Sequence, residues 1–508
     1  MIDTKALRQK ILDMAIKGKL VPQNPDDEPA SVLLERIRAE KQQLIKEGKI
    51  KKDKNDSIIY KGDDNRYYEN LPCGWKICGV SDITNLRTGA TFDKANVLLS
   101  SKNEGIRVLR GGNISTYKID FRVDDIFIPT AIVNPSIYVQ QYDIITPAVT
   151  SLENIGKMAR VHTKPTSNYT VGGFVYLLTP LFYNNTFSKF LLYQFTSTWF
   201  IRQLQAIAKK SGAAFYNINK TKFNELPVFI PPLAEQARIV NRVEELFTQI
   251  DAIEQNQADI DTLYDEFRKR TLTLAIQGKL VPQDSNDEPA SVLLERIRAE
   301  KKAKLGKKFV DSYIYKGDDN CYYEHIAGRA QDEQAEVPFD IPDNWAWVRW
   351  GNLSFSIQYG YNAPAKESGR IKMVRISDIH NNEVDWEHVP FCDINETDIK
   401  TYLLKENDIL FARTGGTVGK SYLVTCVPEE AIYAGYLIRT QYSAQLSAQY
   451  LKYFMESSLY WMQLKDGTIA TAQPNCNGQT LSKMILPLPP LAEQKRIVAK
   501  INEIFAML

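Results

Sequence analysis

No run of apolar residues in this 508-residue chain approaches the ~20 needed to cross a bilayer. Its first residues, Met1-Ile2-Asp3-Thr4-Lys5, lead into a charged amphipathic stretch, not the apolar segment of a secretory signal. Both absences point to the cytoplasm. Cysteine is sparse: six residues, none in a Cys-x-x-Cys pair, which excludes a zinc framework and a disulfide scaffold and leaves reduced thiols. Histidine is sparser still, at four residues. His380 and His388, with Asp385 and Glu387 between them, have no equivalent elsewhere in the chain, so no metal site is expected. A net charge of +2 excludes a globally basic protein but not a local basic surface balanced by acidic helices. What the chain does have is length for two or three cores and the apolar fraction to fill them.

It also has an internal repeat, which decides the organisation. Asp27–Lys41 recurs unchanged as Asp287–Lys301. Gly18-Lys19-Leu20-Val21-Pro22-Gln23 recurs as Gly278-Lys279-Leu280-Val281-Pro282-Gln283, and Tyr60-Lys61-Gly62-Asp63-Asp64 as Tyr315-Lys316-Gly317-Asp318-Asp319. A second block closes each half: Pro231-Pro232-Leu233-Ala234-Glu235-Gln236 with Arg238-Ile239-Val240, and Pro489-Pro490-Leu491-Ala492-Glu493-Gln494 with Arg496-Ile497-Val498. Between the blocks the halves diverge, keeping landmarks such as Pro72 and Trp75 against Pro342 and Trp345. A tandem duplication of an enzyme domain does not explain why the blocks stayed alike while the globular parts changed.

After Pro231-Pro232, the residues Ile239, Val243, Leu246, Ile250, Ile253, Ile260, Tyr264, Phe267 and Leu274 alternate by fours and threes, a coiled-coil seam in a helix ending at Gly278. About forty residues make a rod on the order of 60 Å. The second copy is divided between the termini. Ile497, Ile501 and Ile504 begin the same seam, and Leu7, Ile11 and Met14 end it. By the repeat, Leu508 aligns with Ile250 and Met1 with Asp261, so about ten residues of that copy have no counterpart. The expected fold is α+β: two globular domains joined by an antiparallel pair of long helices, pseudo-twofold and circularly permuted. The expected divisions are 1–22 (end of the second helix), 23–70 (basic linker), 71–230 (first globular domain) and 231–277 (central helix). They continue with 278–340 (basic linker), 341–488 (second globular domain) and 489–508 (short C-terminal helix).

These blocks, with the domain openings Leu71-Pro72-Cys73-Gly74-Trp75 and Ile341-Pro342-Asp343-Asn344-Trp345 and the segment Asp408–Arg413 to Val418-Gly419-Lys420, resemble the specificity subunits of Type I restriction-modification systems. They follow that family's order along nearly the whole chain. The resemblance implies a bacterial or archaeal protein whose two target-recognition domains each read half of a split double-stranded DNA sequence. It implies two methyltransferase subunits docked on the conserved regions and recruitment of restriction subunits. No cofactor is expected on this chain; S-adenosylmethionine is expected on the partner methyltransferase. One departure is the early end of the last helix: either the N-terminal piece completes it, or this copy is a shorter scaffold.

Reading bases takes amide and guanidinium groups matched to purine edges, and positioning takes cations and backbone donors on phosphate. In the first domain the candidates are Arg107, Arg110, Asn113, Lys157, Arg160, Lys209, Lys210, Asn217, Asn219 and Lys220. In the second they are Lys372, Arg375, Asp378, Arg413, Lys420, Gln473, Asn475 and Asn477. Matched positions differ, as Asn113 against Asp378 and Lys220 against Gly478, which is expected of two heads reading different sequences and which relaxed selection would also produce. The basic runs from Arg36 to Lys54 and from Arg296 to Lys308 lie on amphipathic helices and suit docking to the methyltransferase.

Catalytic chemistry is not expected. Thr414-Gly415-Gly416-Thr417-Val418-Gly419-Lys420-Ser421 nearly matches a nucleotide phosphate loop, but Thr414 stands where the first glycine belongs, and Tyr422–Val427 reads as a strand where a helix must open. Neither Pro-Pro pair is followed by the aromatic of an adenine-methyltransferase tetrapeptide. Two readings remain: a DNA-reading scaffold, and a protein-interaction adaptor that has lost DNA recognition.

Overall fold

The computed structural model describes residues 1–50, 71–98, 105–212, 214–380, 382–467 and 476–507. The fold is α+β. Two compact units, Met1–Ala258 and Asp259–Leu508, are linked by one continuous 44-residue helix, Leu233–Ile276. That helix runs unbroken because it holds neither proline nor glycine; Pro231-Pro232 precede it and Gly278 follows it. Among the described residues no helix is long and apolar enough to cross a membrane.

The first unit carries a four-stranded antiparallel sheet in the order Thr84–Thr88, Val175–Pro180, Ile144–Pro147, Ala159–Arg160. Beside it, Tyr169–Val171 pairs parallel with Gly105–Leu109, which pairs antiparallel with Ile126–Pro129. Ile144–Pro147 is buried at every position, as a strand covered on both faces requires. The head is closed where its first strand, Lys76–Gly79, pairs antiparallel with its last, Pro227–Ile230. Entry and exit therefore meet at the start of the central helix.

The second unit repeats this plan. Its four-stranded sheet runs Ser354–Tyr359, Leu437–Tyr442, Ile409–Ala412, Ser421–Leu423, and its closing pair is Ala346–Arg349 with Ile485–Leu488. The segment after the glycine-rich 414–420 stretch is thus a strand. One sheet, Ser312–Lys316, Tyr322–Ile326 and Glu333–Gln334, has its sequence counterpart in residues outside the described range.

In each unit the beginning of one long helix packs against the end of another. In the first, Arg8 of the helix Thr4–Ile16 lies 4.9 Å over the Phe247 ring and reaches Asp251 and Glu254 at 2.5 and 3.1 Å. In the second, Arg268 lies 4.2 Å over Phe505 of the helix Leu491–Ala506. Ile11, Ile239, Val243, Ile250, Ile497 and Ile501 are buried, with Leu7, Leu246, Ile253 and Ile504 half-buried. Elsewhere the expected seam shifts. Met14 is 37% exposed and Leu274 half-buried, whereas Leu12, Ala15, Leu272 and Ala275 are buried. Here the helix ends pack into head cores, Leu12 and Ala15 among Trp75, Phe190 and Phe229, so the head selects the buried face. Ile260, Tyr264 and Phe267 of the central stretch are exposed.

A repeated polar clasp ties helix, linker and head together. Buried Glu235 accepts hydrogen bonds from Trp75 Nε1 (2.9 Å) and Gln23 Nε2 (2.6 Å), and Arg238 forks onto Asp27. In the second unit Glu493 accepts from Trp345 (2.8 Å) and Gln283 (2.6 Å), and Arg496 forks onto Asp287. Burial pushes both carboxyls up, offset in part by these donors. Gly18 and Gly278 stop the preceding helices with φ of +65° and +69°. A Cβ at either would lie about 2.5 Å from the ring of Pro72 or Pro342, so glycine is required on both counts. Lys41 and Lys301, at the same place in the repeated linker helices, donate to the Ser81 and Gly351 carbonyls of their heads.

Two outcomes are expected. Trp75→Phe removes one donor from buried Glu235 and should destabilise the first unit by about 1–3 kcal/mol in urea unfolding of the full chain. A midpoint unchanged from wild type would mean the clasp is dispensable. The second concerns Asp143, fully buried in the first head, where it accepts from Gln140 N and Thr179 Oγ1 with Arg87 4.0 Å away. Burial raises its pKa to about 6 from 3.8. A carboxyl raised on folding favours the folded state at low pH, and that contribution is lost as pH rises from about 4 through about 6. It amounts to up to ~3 kcal/mol. Asp143→Asn can keep both hydrogen bonds without ionising and should flatten the stability profile between pH 4 and 7; an unchanged profile would exclude Asp143 as its source.

Candidate nucleic-acid interface

In the first head, Ala208–Ser211 and Phe215–Ile218 form a two-stranded antiparallel ribbon, with Lys209 opposite Asn217 and Lys210 opposite Tyr216. One edge pairs with Val149–Thr150. Alternation fails here for a visible reason: Lys209, Lys210, Ser211 and Phe215 are all exposed, so the ribbon stands in solvent instead of covering a core. Lys209 and Lys210 make no ion pair among the described residues. A ribbon of this width is one of the two elements that the major groove of B-DNA admits. It leads into Asn219, which caps the short helix Lys220–Glu225 by accepting from Lys222 N at 3.0 Å. Lys209, Lys210, Asn217, Asn219 and Lys220 are all exposed, with Lys209 and Asn217 a facing pair on the ribbon.

The remaining first-head candidates divide. Arg110 is exposed at the end of the strand Gly105–Leu109, donating to the Asp124 carbonyl at 3.1 Å. Arg107 is half-buried between the Phe121 and Phe127 rings. Lys157 is half-buried, its carbonyl accepting from Thr146 Oγ1. Two expectations are corrected. Asn113 is buried at 1% exposure: its Oδ1 accepts from Arg110 N, and its Nδ2 donates to the Asp120 carbonyl and to Asp125. Arg160, also 1% exposed, donates to Ser188 and Asn185 beneath the Tyr142 ring. With every polar group engaged inside the head, neither side chain is presented to a ligand.

In the second head Asp378 is the counterpart of Asn113 and likewise a buried cap, accepting from Arg375 N and held by the Arg375 guanidinium. It too is corrected from reader to frame. Lys372 is spent on the Trp386 carbonyl and Glu429, both at 2.6 Å, with its side chain only 12% exposed. Arg375 keeps a half-exposed guanidinium, Lys420 is exposed, and Arg413 lies 4.7 Å over the Tyr359 ring. Asn477 is exposed and caps Gly478–Lys483 through Thr480 N. Gln473 and Asn475 lie outside the described residues.

Sequence reasoning passed over Phe174 and Tyr436, which are 73% and 64% exposed. Phe174 reads as the start of a strand because Val175–Leu178 follows. The signal available was its place after glycine in both halves, Gly173-Phe174 and Gly435-Tyr436.

Known proteins align with this chain over most of its length. The pattern of the Type I restriction modification DNA specificity domain matches residues 72–262 and 359–507. The Type I restriction enzyme EcoAI specificity subunit of Escherichia coli is 28% identical over 560 aligned positions, covering 98% of this chain and 88% of that protein. The EcoKI specificity subunit of Escherichia coli (strain K12) is 24% identical, covering 86% and 83%. A solved chain described under complex assembly and conformational transition of the type I R-M system superposes with a TM-score of 0.55 at 17% identity, over 86% of this chain and 92% of that one. That likeness is one of fold. With its two matched segments each spanning most of one head and running on into the helix that follows it, the chain belongs to the Type I restriction-modification DNA specificity family.

Proposed function

We propose that this chain reads a bipartite double-stranded DNA target for a Type I restriction-modification complex, one half-site per head, and scaffolds the methyltransferase and restriction subunits. The observation that carries this reading is a common frame bearing different chemistry. The clasp recurs residue for residue and the closing strand pairs recur in place, while the exposed positions between them change. Frame retention with divergent exposed groups is what two heads reading two different sequences need. A continuous helix between them suits a ruler for an unread spacer, with half-sites roughly one DNA turn, about 34 Å, apart.

The chain's role is non-catalytic: transfer of the methyl group from S-adenosylmethionine belongs to the partner methyltransferase. In each linker helix, leucine and isoleucine (Leu33 and Ile37, Leu293 and Ile297) anchor one face on the head, leaving basic residues outward for that partner. Part of this charge is already paired, as in Arg36–Glu28 and Arg296–Glu288, so docking there is not a matter of charge alone.

The decisive experiment compares methylation maps of a host carrying this chain and its methyltransferase with the same host lacking only this chain. A split motif appearing only with the chain is expected; no difference, with the complex assembled, would favour the adaptor reading. Duplex binding by the complex should weaken steeply with salt. Lys209→Ala with Lys210→Ala should weaken binding to all sequences alike and lower the salt slope by about 2. A lost preference with an unchanged slope would instead make these lysines base readers.

A further inference from the structure

The two heads differ at most exposed positions, yet both hold one bare aromatic ring in the same backbone frame. In the first, Val175 N donates to Gly172 O (2.9 Å), closing a tight turn with Phe174 at its third position; in the second, Leu437 N donates to Ala434 O (2.9 Å) around Tyr436. Gly172 N is fixed to Leu109 O and Ala434 N to Val374 O. Each turn is pressed against a glycine that tolerates no side chain: a Cβ at Gly89 or Gly360 would lie 2.4 or 2.3 Å from the turn's first carbonyl, that of Gly172 or Ala434. Such a frame fixes the direction in which the aromatic leaves the head.

The surroundings say what it faces. Phe174 O accepts from Ala148 N, and Ala148 O accepts from Ile218 N at the base of the lysine-bearing ribbon. Arg110 follows Leu109 directly. In the second head Tyr436 O accepts from Arg413 N, Arg413 O accepts from Cys476 N, and Arg375 follows Val374. Both rings therefore stand beside cationic residues of their own heads, the ribbon with exposed Lys209 and Lys210 in the first and half-buried Arg413 in the second. An apolar ring in a cationic rim matches a polyanion with aromatic faces, and any base offers such a face whatever its identity. That accounts for an aromatic kept in both heads while its neighbour changes from Ala148 to Arg413.

We propose that Phe174 and Tyr436 are matched stacking wedges, each placed against a nucleobase at an opened step of its own half-site, holding the duplex distorted without reading its sequence. The inference rests on the DNA-reading function proposed above.

The test uses the full chain assembled with its methyltransferase and a duplex bearing the motif recovered from the methylation map, with 2-aminopurine substituted in turn along each half-site. Phe174→Ala should weaken binding about tenfold with the salt slope unchanged, and should abolish a 2-aminopurine signal confined to one half-site. Phe174→Trp should retain both, which also guards against misfolding as the cause. Tyr436→Ala should do the same for the other half-site alone. Wild-type affinity and signal in both alanine variants would overturn the proposal. So would loss of the methyltransferase from the Phe174→Ala complex, since the ring would then be a protein contact. Failure of the wild-type complex to bind the duplex with salt dependence would instead overturn the underlying DNA-reading function.

Discussion

A buried carboxylate at the head of each helix holds the rest of the architecture in place. Glu235 sits at 1% exposure in the first turn of the central helix, and Glu493 is fully buried in the first turn of its counterpart. A carboxylate taken out of water must be compensated on both oxygens. One oxygen is served by the tryptophan that opens the head and the other by the glutamine near the start of the linker. Three segments far apart in sequence therefore meet at one atom group, and none can shift without stranding a charge. The first-turn position adds a favourable helix dipole. Because the closing strands bring each head's entry and exit to this same point, the direction of the head relative to its helix is set here.

How much of this was legible in the sequence follows from what each signal depends on. Repeats are visible without knowing any contact, so the two-unit plan and the pairing of helix pieces could be read directly. The clasp residues sit inside the repeated blocks, but nothing in their spacing says that Trp75 and Glu235 touch. The seam lies buried at Ile239, Val243 and Ile250, in one cluster with Ile11 and the head residues Trp75 and Phe229. It was displaced at Met14 and Leu274, where the head supplies the partner surface and buries Leu12 and Leu272 instead. Periodicity reports that a face is apolar; tertiary packing chooses among neighbouring faces.

The candidate readers show the complementary limit. Asn113, Asp378 and Arg160 carry polar groups able to pair with bases, and residue type alone cannot distinguish a presented side chain from a buried cap. Asn113 and Asp378 turn out to do the same job with different chemistry, each accepting from the backbone N–H of the arginine three residues earlier. A difference at matched positions is thus no proof of altered specificity: both side chains supply the acceptor oxygen the turn shares, and each bonds differently around it, Asn113 donating to Asp120 and Asp125 and Asp378 accepting from the Arg375 guanidinium. The lysines of the ribbon were easier, because two adjacent charges before a glycine seldom belong to a core.

Frame and reading surface therefore separate along a physical line. Groups whose hydrogen bonds are all spent inside the head can change only for a substitute offering the same bonds, which keeps Trp75, Glu235 and Gln23 as they are in both copies. Groups whose bonds are left to the solvent are constrained only by what they meet there. Lys209, Lys210 and Asn217 can thus be exchanged for others at no cost to the fold, since surface substitutions of this kind change stability by only about ±0.5 kcal/mol. Divergence accumulates where folding does not resist it, which is how one repeated frame can carry two unlike surfaces.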